Sequence, residues 1–257
     1  MTNDLKKIIE YENANWSKIF QVELEKNSDK KFSSFWWESY YDELTNGVNK
    51  IILTDNLSTI LEAGSGSGKA TLLLNEKIHK TLLDISPVAL EYAKHIANKF
   101  EVENTNFVEG NIFSMPFKNN NFDFVWNIGV IEHYELDDIK LIIEEMVRVC
   151  NKSGIVAVGM PNFYSGPILK ARLLKLLKFI PGYKLDTEKF YEISKIENIF
   201  KEVCKESGKK IIYLETKYFG NPLIMETPRF ILKTMGGLIS RLFRKNKFLM
   251  LIICKFE

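Results

Sequence analysis

The chain has 257 residues, 46% of them hydrophobic, which suits one α/β domain of about 150–250 residues with additions and is short for two large ones. Thirty-five basic against 33 acidic side chains leave a formal charge of +2, which argues against a general nucleic-acid binder. Cys150, Cys204 and Cys254 are widely spaced with no C-x-x-C pair, so a zinc site and a disulfide framework are excluded, and the thiols read as buried in a reducing compartment. Residues Met1 to Lys6 lack the apolar run of a signal peptide. The longest late apolar run, Phe248 to Cys254, has seven residues where a bilayer span needs ~20. A cytoplasmic protein is expected.

Residues 1–57 read as a helical cap, mostly polar, with aromatic clusters at Phe35-Trp36-Trp37 and Tyr40-Tyr41. An α/β alternation follows over 58–257. Thr59 to Leu61 is the first strand, Ala70 to Leu74 begins a helix, and Lys80 to Asp84 is the second strand. Ser86 then caps a helix that has Pro87 at its first position and runs to Lys99. Asn106 to Glu109 and Phe122 to Asn127 are further strands. Asp137 to Cys150 is an amphipathic helix with Ile139, Ile142, Ile143, Met146 and Val147 on one face. Gly154 to Gly159 is the fifth strand. A basic helical insert, 163–184, precedes a largely helical stretch from Leu185 to Gly208. Lys210 to Tyr218 and Phe248 to Phe256 are the last strands, separated by a helical insertion at 221–246. Strands alternating with helices imply a mainly parallel sheet covered on both faces, and the last pair suggests an antiparallel edge hairpin.

The chemistry is concentrated after the first strand, in Glu62-Ala63-Gly64-Ser65-Gly66-Ser67-Gly68-Lys69. Glycines at alternate positions let the backbone turn tightly and approach a ligand where a Cβ would collide. A dinucleotide fingerprint would need its third glycine at position 69, which is Lys69. A phosphate-binding P-loop would need a hydroxyl where Ala70 stands and a glycine where Ala63 stands. The Glu62 carboxylate suits a ligand carrying an amine, so the loop points to a nucleoside with a charged amino-acid end. Asp84, twenty residues after Gly64 at the end of the second strand, offers two acceptor oxygens to a vicinal diol, or simply caps the turn at Ser86.

With these segments in this order, the chain resembles the class I S-adenosylmethionine-dependent methyltransferases that act on small molecules. The resemblance covers 58–160 closely and 185–257 only in topology. It implies a Rossmann-like fold with a seven-stranded, mainly parallel sheet, an antiparallel last strand, a helical N-terminal cap and a C-terminal helical insertion. It implies S-adenosyl-L-methionine as cofactor, S-adenosyl-L-homocysteine as product, and direct SN2 transfer of a methyl group to oxygen, nitrogen or carbon of a small molecule. Glu62, Gly64, Ser65, Gly66 and Gly68 would hold the methionine end, Asp84 the ribose, and Ile85 the adenine face. Asn111 stands where the family commonly has aspartate, and its amide oxygen, with the Ile112 N–H, would serve the adenine edge. Backbone at Asn127 and Ile128 would border the sulfonium.

His133 is the candidate general base, since imidazole titrates near neutral pH, although it could equally cap or pack the next helix. Glu132-His133 also resembles metal-dependent quinone O-methyltransferases, but their earlier glutamate is replaced by Gly129, so no metal is expected. Trp36, Trp37, Tyr40 and Tyr41 are candidates for an acceptor lid, or for a helix packed on the domain. The basic, apolar stretch 168–180 reads either as a peripheral contact with the inner membrane surface, admitting an apolar or anionic acceptor, or as a solvated helix with snorkelling lysines. Two rival functions stay open: a non-catalytic S-adenosylmethionine-binding regulator of the same fold, and an NAD-dependent oxidoreductase.

Overall fold

The structure, a computed structural model, describes residues 3–25, 34–177, 185 and 187–257. Seven strands form one sheet: β1 (Thr59–Ala63), β2 (His79–Asp84), β3 (Thr105–Glu109), β4 (Phe122–Ile128), β5 (Cys150–Pro161), β6 (Ile211–Phe219) and β7 (Leu249–Phe256). The helices are α1 (Asn3–Glu25), α2 (Phe35–Thr54), α3 (Lys69–Leu72), α4 (Pro87–Lys99), α5 (Leu136–Val149), α6 (Gly166–Leu176), α7 (Ile193–Glu206) and α8 (Arg229–Leu242). Strand order is β3-β2-β1-β4-β5-β7-β6. Strands β1 to β5 pair in parallel, and β7 runs antiparallel to both β5 and β6. The mainly parallel α/β sheet with an antiparallel last strand is therefore present. β7 lies inside the sheet, however, and β6 forms the edge.

Local chemistry accounts for these elements. Ile155 to Val158 in β5 and Leu251 to Cys254 in β7 are wholly buried, the continuous apolar pattern of strands covered on both faces. On α5, Ile139, Ile142, Ile143, Met146 and Val147 recur at helical spacing and are buried against the sheet. Each such side chain contributes about 1.5–3 kcal/mol by leaving water. Ser86 accepts a hydrogen bond from the Ala89 N–H at 3.2 Å, with Pro87 next to it, so α4 starts where capping chemistry placed it.

Three expectations need correction. The helix after the glycine loop is a single turn, Lys69–Leu72, because Asn75 takes over the backbone. Its N–H bonds Asn49 Oδ1 and its own Oδ1 accepts from the Lys77 N–H, which makes a turn. Residues 187–192 are not helical and α7 begins only at Ile193, since the backbone ahead of it is tied to the turn after β4, with the Lys189 N–H donating to the Glu132 carbonyl at 2.7 Å. Finally, the insertion before β7 is helical only from Arg229, after a turn in which Asn221 Oδ1 accepts from the Leu223 N–H and after Pro228.

Strand order reverses between β1 and β4, so the connections that leave their carboxyl ends run to opposite sides and leave the crevice in which sheets of this kind bind ligands. Helix α2 covers one face through Trp36, Tyr40, Leu44 and Val48. Helix α1 packs on α4, where Phe20 stacks on Tyr92 at 5.2 Å. These two helices wall the crevice from opposite sides.

Candidate functional site

A cavity of about 760 Å³ opens at the carboxyl ends of β1, β2 and β4, within the range of small-ligand sites. Its floor is the loop after β1. Gly64 adopts φ +77°, and a Cβ there would stand 3.0 Å from Val130 Cγ2; Gly66 adopts φ +51°, with a Cβ position 3.2 Å from Phe20 Cζ. Both positions demand glycine. Asp84 pins this loop: its Oδ2 accepts from the Gly66 N–H at 2.7 Å, while Oδ1 accepts from the Ser86 N–H at 2.9 Å. The same carboxylate therefore ties the loop to the start of α4, and each oxygen keeps a second lone pair.

Glu62 lies behind the loop, fully buried. The Thr71 hydroxyl and N–H bond its carboxyl group, but burial outweighs them and lifts it to about 8. Thr71 is itself fixed by the indole N–H of Trp126, at 2.9 Å from its Oγ1. Glu62 Oε2 and Ser65 Oγ are buried without a partner. Such groups are costly unless something completes them, and a ligand ammonium is the natural complement to the first. Among the sequence candidates, Gly64, Ser65, Gly66, Asp84, Ile85, Asn111, Ile112, Ile128 and His133 border the cavity. Glu62, Gly68 and Asn127 stand behind its wall. Gly68 serves packing, since a Cβ there would meet Leu82 Cδ1 at 2.3 Å. Asn127 is turned into the core, its Nδ2 3.4 Å from Met146 Sδ. Asn111 Oδ1 already accepts from the Phe113 N–H at 2.9 Å, which leaves one lone pair for a ligand.

Of the aromatics on α2, Trp37, Tyr40 and Tyr41 border the cavity. Trp36 does not. It is 1% exposed in the core, and its indole N–H donates to the Leu223 carbonyl at 2.9 Å. The expected contact of Trp36 with an acceptor is corrected accordingly: the helix phase turns it under α8's approach instead of toward the crevice.

His133 sits in a short 3-10 turn, Ile131–His133, just after β4. Its Nδ1 is 2.8 Å from Thr187 Oγ1 and 3.5 Å from Glu12 Oε1. Burial, with the Lys189 charge, pulls the imidazole below its ordinary value against the opposing pull of Glu188, so the ring is neutral at pH 7. Glu132 is 2% exposed, its Oε2 unpartnered, and burial pushes it up to about 8, assisted by Glu188 and Glu12. Glu12 is raised by burial as well; neither oxygen has a well-formed hydrogen bond, although Thr187 and Trp16 soften the rise. Among the described residues no group of His, Cys, Asp and Glu is arranged to hold a metal ion.

Glu12, Asn13, Trp16 and Phe20 on α1, and Glu188 after α6, also border the cavity and were absent from the sequence reading. A signal existed for Glu12. Leu5, Ile9, Trp16 and Phe20 recur at helical spacing, and Glu12 falls within that stripe, where a carboxylate is anomalous. Glu188 carries no comparable mark. On α6, Ile168, Ala171 and Leu174 form part of the wall; Lys178, Phe179 and Ile180, also singled out in the sequence, and Lys184 lie outside the described residues.

A family model described as "Methyltransferase domain" matches residues 54–218. The demethylmenaquinone methyltransferase of Listeria welshimeri is 23% identical over 172 residues, which is 60% of this chain and 72% of that protein. The solved structure of the PH0226 protein from Pyrococcus horikoshii aligns with a TM-score of 0.60 at 18% identity, covering 88% of this chain and 93% of that one. The [4+2]-cyclase SpnF aligns with a TM-score of 0.58 at 14% identity, over 88% and 84%. The two structural likenesses concern the fold.

Proposed function

Since the chain belongs to the methyltransferase-domain family, as a class I S-adenosylmethionine-dependent methyltransferase, we propose that it passes a methyl group by direct displacement to oxygen, nitrogen or carbon of a small molecule. The observation that carries this reading is the union of a glycine cradle and a neutral histidine around one cavity, with the unsatisfied carboxyl group of Glu62 directly behind the cradle. Bound S-adenosylmethionine supplies a methyl group already activated on a sulfonium. The chain would hold it with the Gly64–Gly66 backbone, Asp84 toward the ribose hydroxyls, Ile85 and Ile112 against the adenine, and Glu62 balancing the methionine ammonium from behind the loop.

His133 would take the proton from the attacking group. Its Nδ1 contact with Thr187 orients the ring, and its depressed affinity for protons keeps it in the basic form at neutral pH. Much of the remaining rate would come from alignment in a cavity walled by Trp37, Tyr40 and Ile168. The carboxyl groups of Glu12, Glu132 and Glu188 around His133 favour a neutral or cationic reacting group over an anionic one, and the apolar walls favour an apolar body.

Calorimetric titration with S-adenosylhomocysteine, NAD and ATP tests the cofactor assignment. S-adenosylhomocysteine should bind far more tightly than the others; tighter binding of NAD would end this reading.

A further inference from the structure

We propose that α6 and α8 form a docking surface for an anionic phospholipid membrane, at the end of the sheet where the cavity opens. Helix α6 is tied to the segment that leads into α8, through the Gly166 N–H on the Pro222 carbonyl and the ion pair of Lys170 with Glu226. Pro161 closes β5 ahead of α6 and Phe219 closes β6 ahead of α8, and both pair with Leu249 at the start of β7. Pro161 and Leu249 themselves border the cavity.

Each helix exposes large apolar side chains that its own core contacts leave unused. On α6, Ile168 and Ala171 are buried, while Leu169, Leu173 and Leu176 face solvent, the last 79% exposed. Helix α8 buries only Leu232 and Gly236. It exposes Phe230, Met235, Leu238 and Leu242, with Phe243 directly after it, and Phe230 and Leu242 are 68% and 70% exposed. Such a concentration exceeds the scattered exposure of soluble surfaces and marks an interaction face.

Charge selects the partner. Lys170, Arg172 and Lys175 lie on α6, and Arg229, Lys233 and Arg241 on α8, with Arg244 and Lys245 following. Neither helix contains any of the chain's 33 acidic residues, in a protein whose net charge is only +2. Lys170 pairs with Glu226 outside the helix, and Arg229 and Lys233 lie over the Phe35 ring, so part of this charge is engaged locally. A second copy of the chain would set this basic face against itself. Apolar side chains flanked by lysine and arginine match the boundary between acyl chains and phosphate headgroups. Among the described residues no helix is long and apolar enough to cross a membrane, so the association is with its surface. Because α6 exposes one side and lines the cavity with the other, docking would place the cavity mouth at the lipid.

Flotation of the full chain at low salt, with vesicles of phosphatidylcholine alone or mixed with phosphatidylglycerol, tests the surface. Co-flotation is expected with the mixed vesicles only. Arg241→Gln and Arg244→Gln should each lower partitioning about fivefold. Leu238→Glu with Leu242→Glu should abolish it without moving the melting temperature, since both side chains are exposed. Absence of the parent protein from the mixed vesicles, or binding unchanged by the α8 glutamates, overturns the proposal. So does a parent that sediments as a dimer and becomes a monomer on the same substitutions without binding vesicles, which would make the face an interface between copies.

Discussion

Replacing Asp84 by asparagine keeps the shape of the side chain but removes its charge and one of its two acceptors. The carboxylate receives the Gly66 N–H on one oxygen and the Ser86 N–H on the other. Whichever way an asparagine amide is turned, its NH2 group confronts one of those donors, and a buried N–H left unpaired costs about 1–3 kcal/mol. At this chain length that corresponds to a melting temperature lower by roughly 2–4 °C per kcal/mol. A ligand diol resting on Asp84 loses a charge-assisted hydrogen bond of similar worth, so the dissociation constant of S-adenosylhomocysteine should rise about 5- to 150-fold. Asp84→Ala should fall at the upper end, because no acceptor remains. Thermal melts establish that each variant is folded, and calorimetric titration then reads the affinity. If both variants melt earlier yet bind S-adenosylhomocysteine as the parent does, Asp84 only staples the loop to α4, and its assignment to the cofactor is refuted.

Glu62 offers a pH test: folded, it holds a proton up to about 8, whereas the unfolded chain releases it near 4.5, so stability falls as the pH rises through that window. Glu62→Gln should recover about 3 kcal/mol at pH 7 and flatten that part of the melting profile, leaving the share of Glu132, while weakening S-adenosylhomocysteine binding. His133→Ala should keep cofactor affinity and lower turnover roughly 10²–10⁴-fold. The parent's rate should fall on acidification only below the ordinary imidazole value of 6.5, and near-normal turnover of the variant would leave alignment as the sole contribution. Activity should survive exhaustive chelation; loss under EDTA restored by Mg²⁺ would show a metal held by ligands other than those described.

What could be read from the chain was local. Ser86-Pro87, the alternate glycines and the apolar face of α5 each act through residues a few positions apart, and they located α4, the loop and the helix before β5 within a residue or two. The features that failed depend on distant partners. Trp36 and Trp37 are neighbours of the same type, and only the packing of α2 against Leu223 and the sheet decides that one is core and the other cavity wall. Nothing next to Thr71 in the chain marks its part in the site; Trp126, 55 residues later, fixes it against Glu62. The meeting of Glu12, Glu132 and Glu188 around His133 joins α1, the turn after β4 and the loop before α7, and no spacing along the chain announces it.

The position of β7 has a consequence for how the molecule is made. β5 is complete at Pro161, and β6 at Phe219, yet the two never touch as neighbours; each waits for the strand that begins at Leu249. During synthesis, a strand as apolar as Ile155 to Met160 must persist with an open edge while nearly ninety further residues, including the exposed apolar helices α6 and α8, are added. Such late closure of a buried strand is slow, because the paired residues are far apart along the chain, and it leaves an edge open to other chains. The same insertion couples the two halves of the sheet. A substitution that distorts β7, such as a proline at Ile252, would release β5 and β6 together and disturb the cavity wall at Leu249 from a residue that does not itself border the cavity.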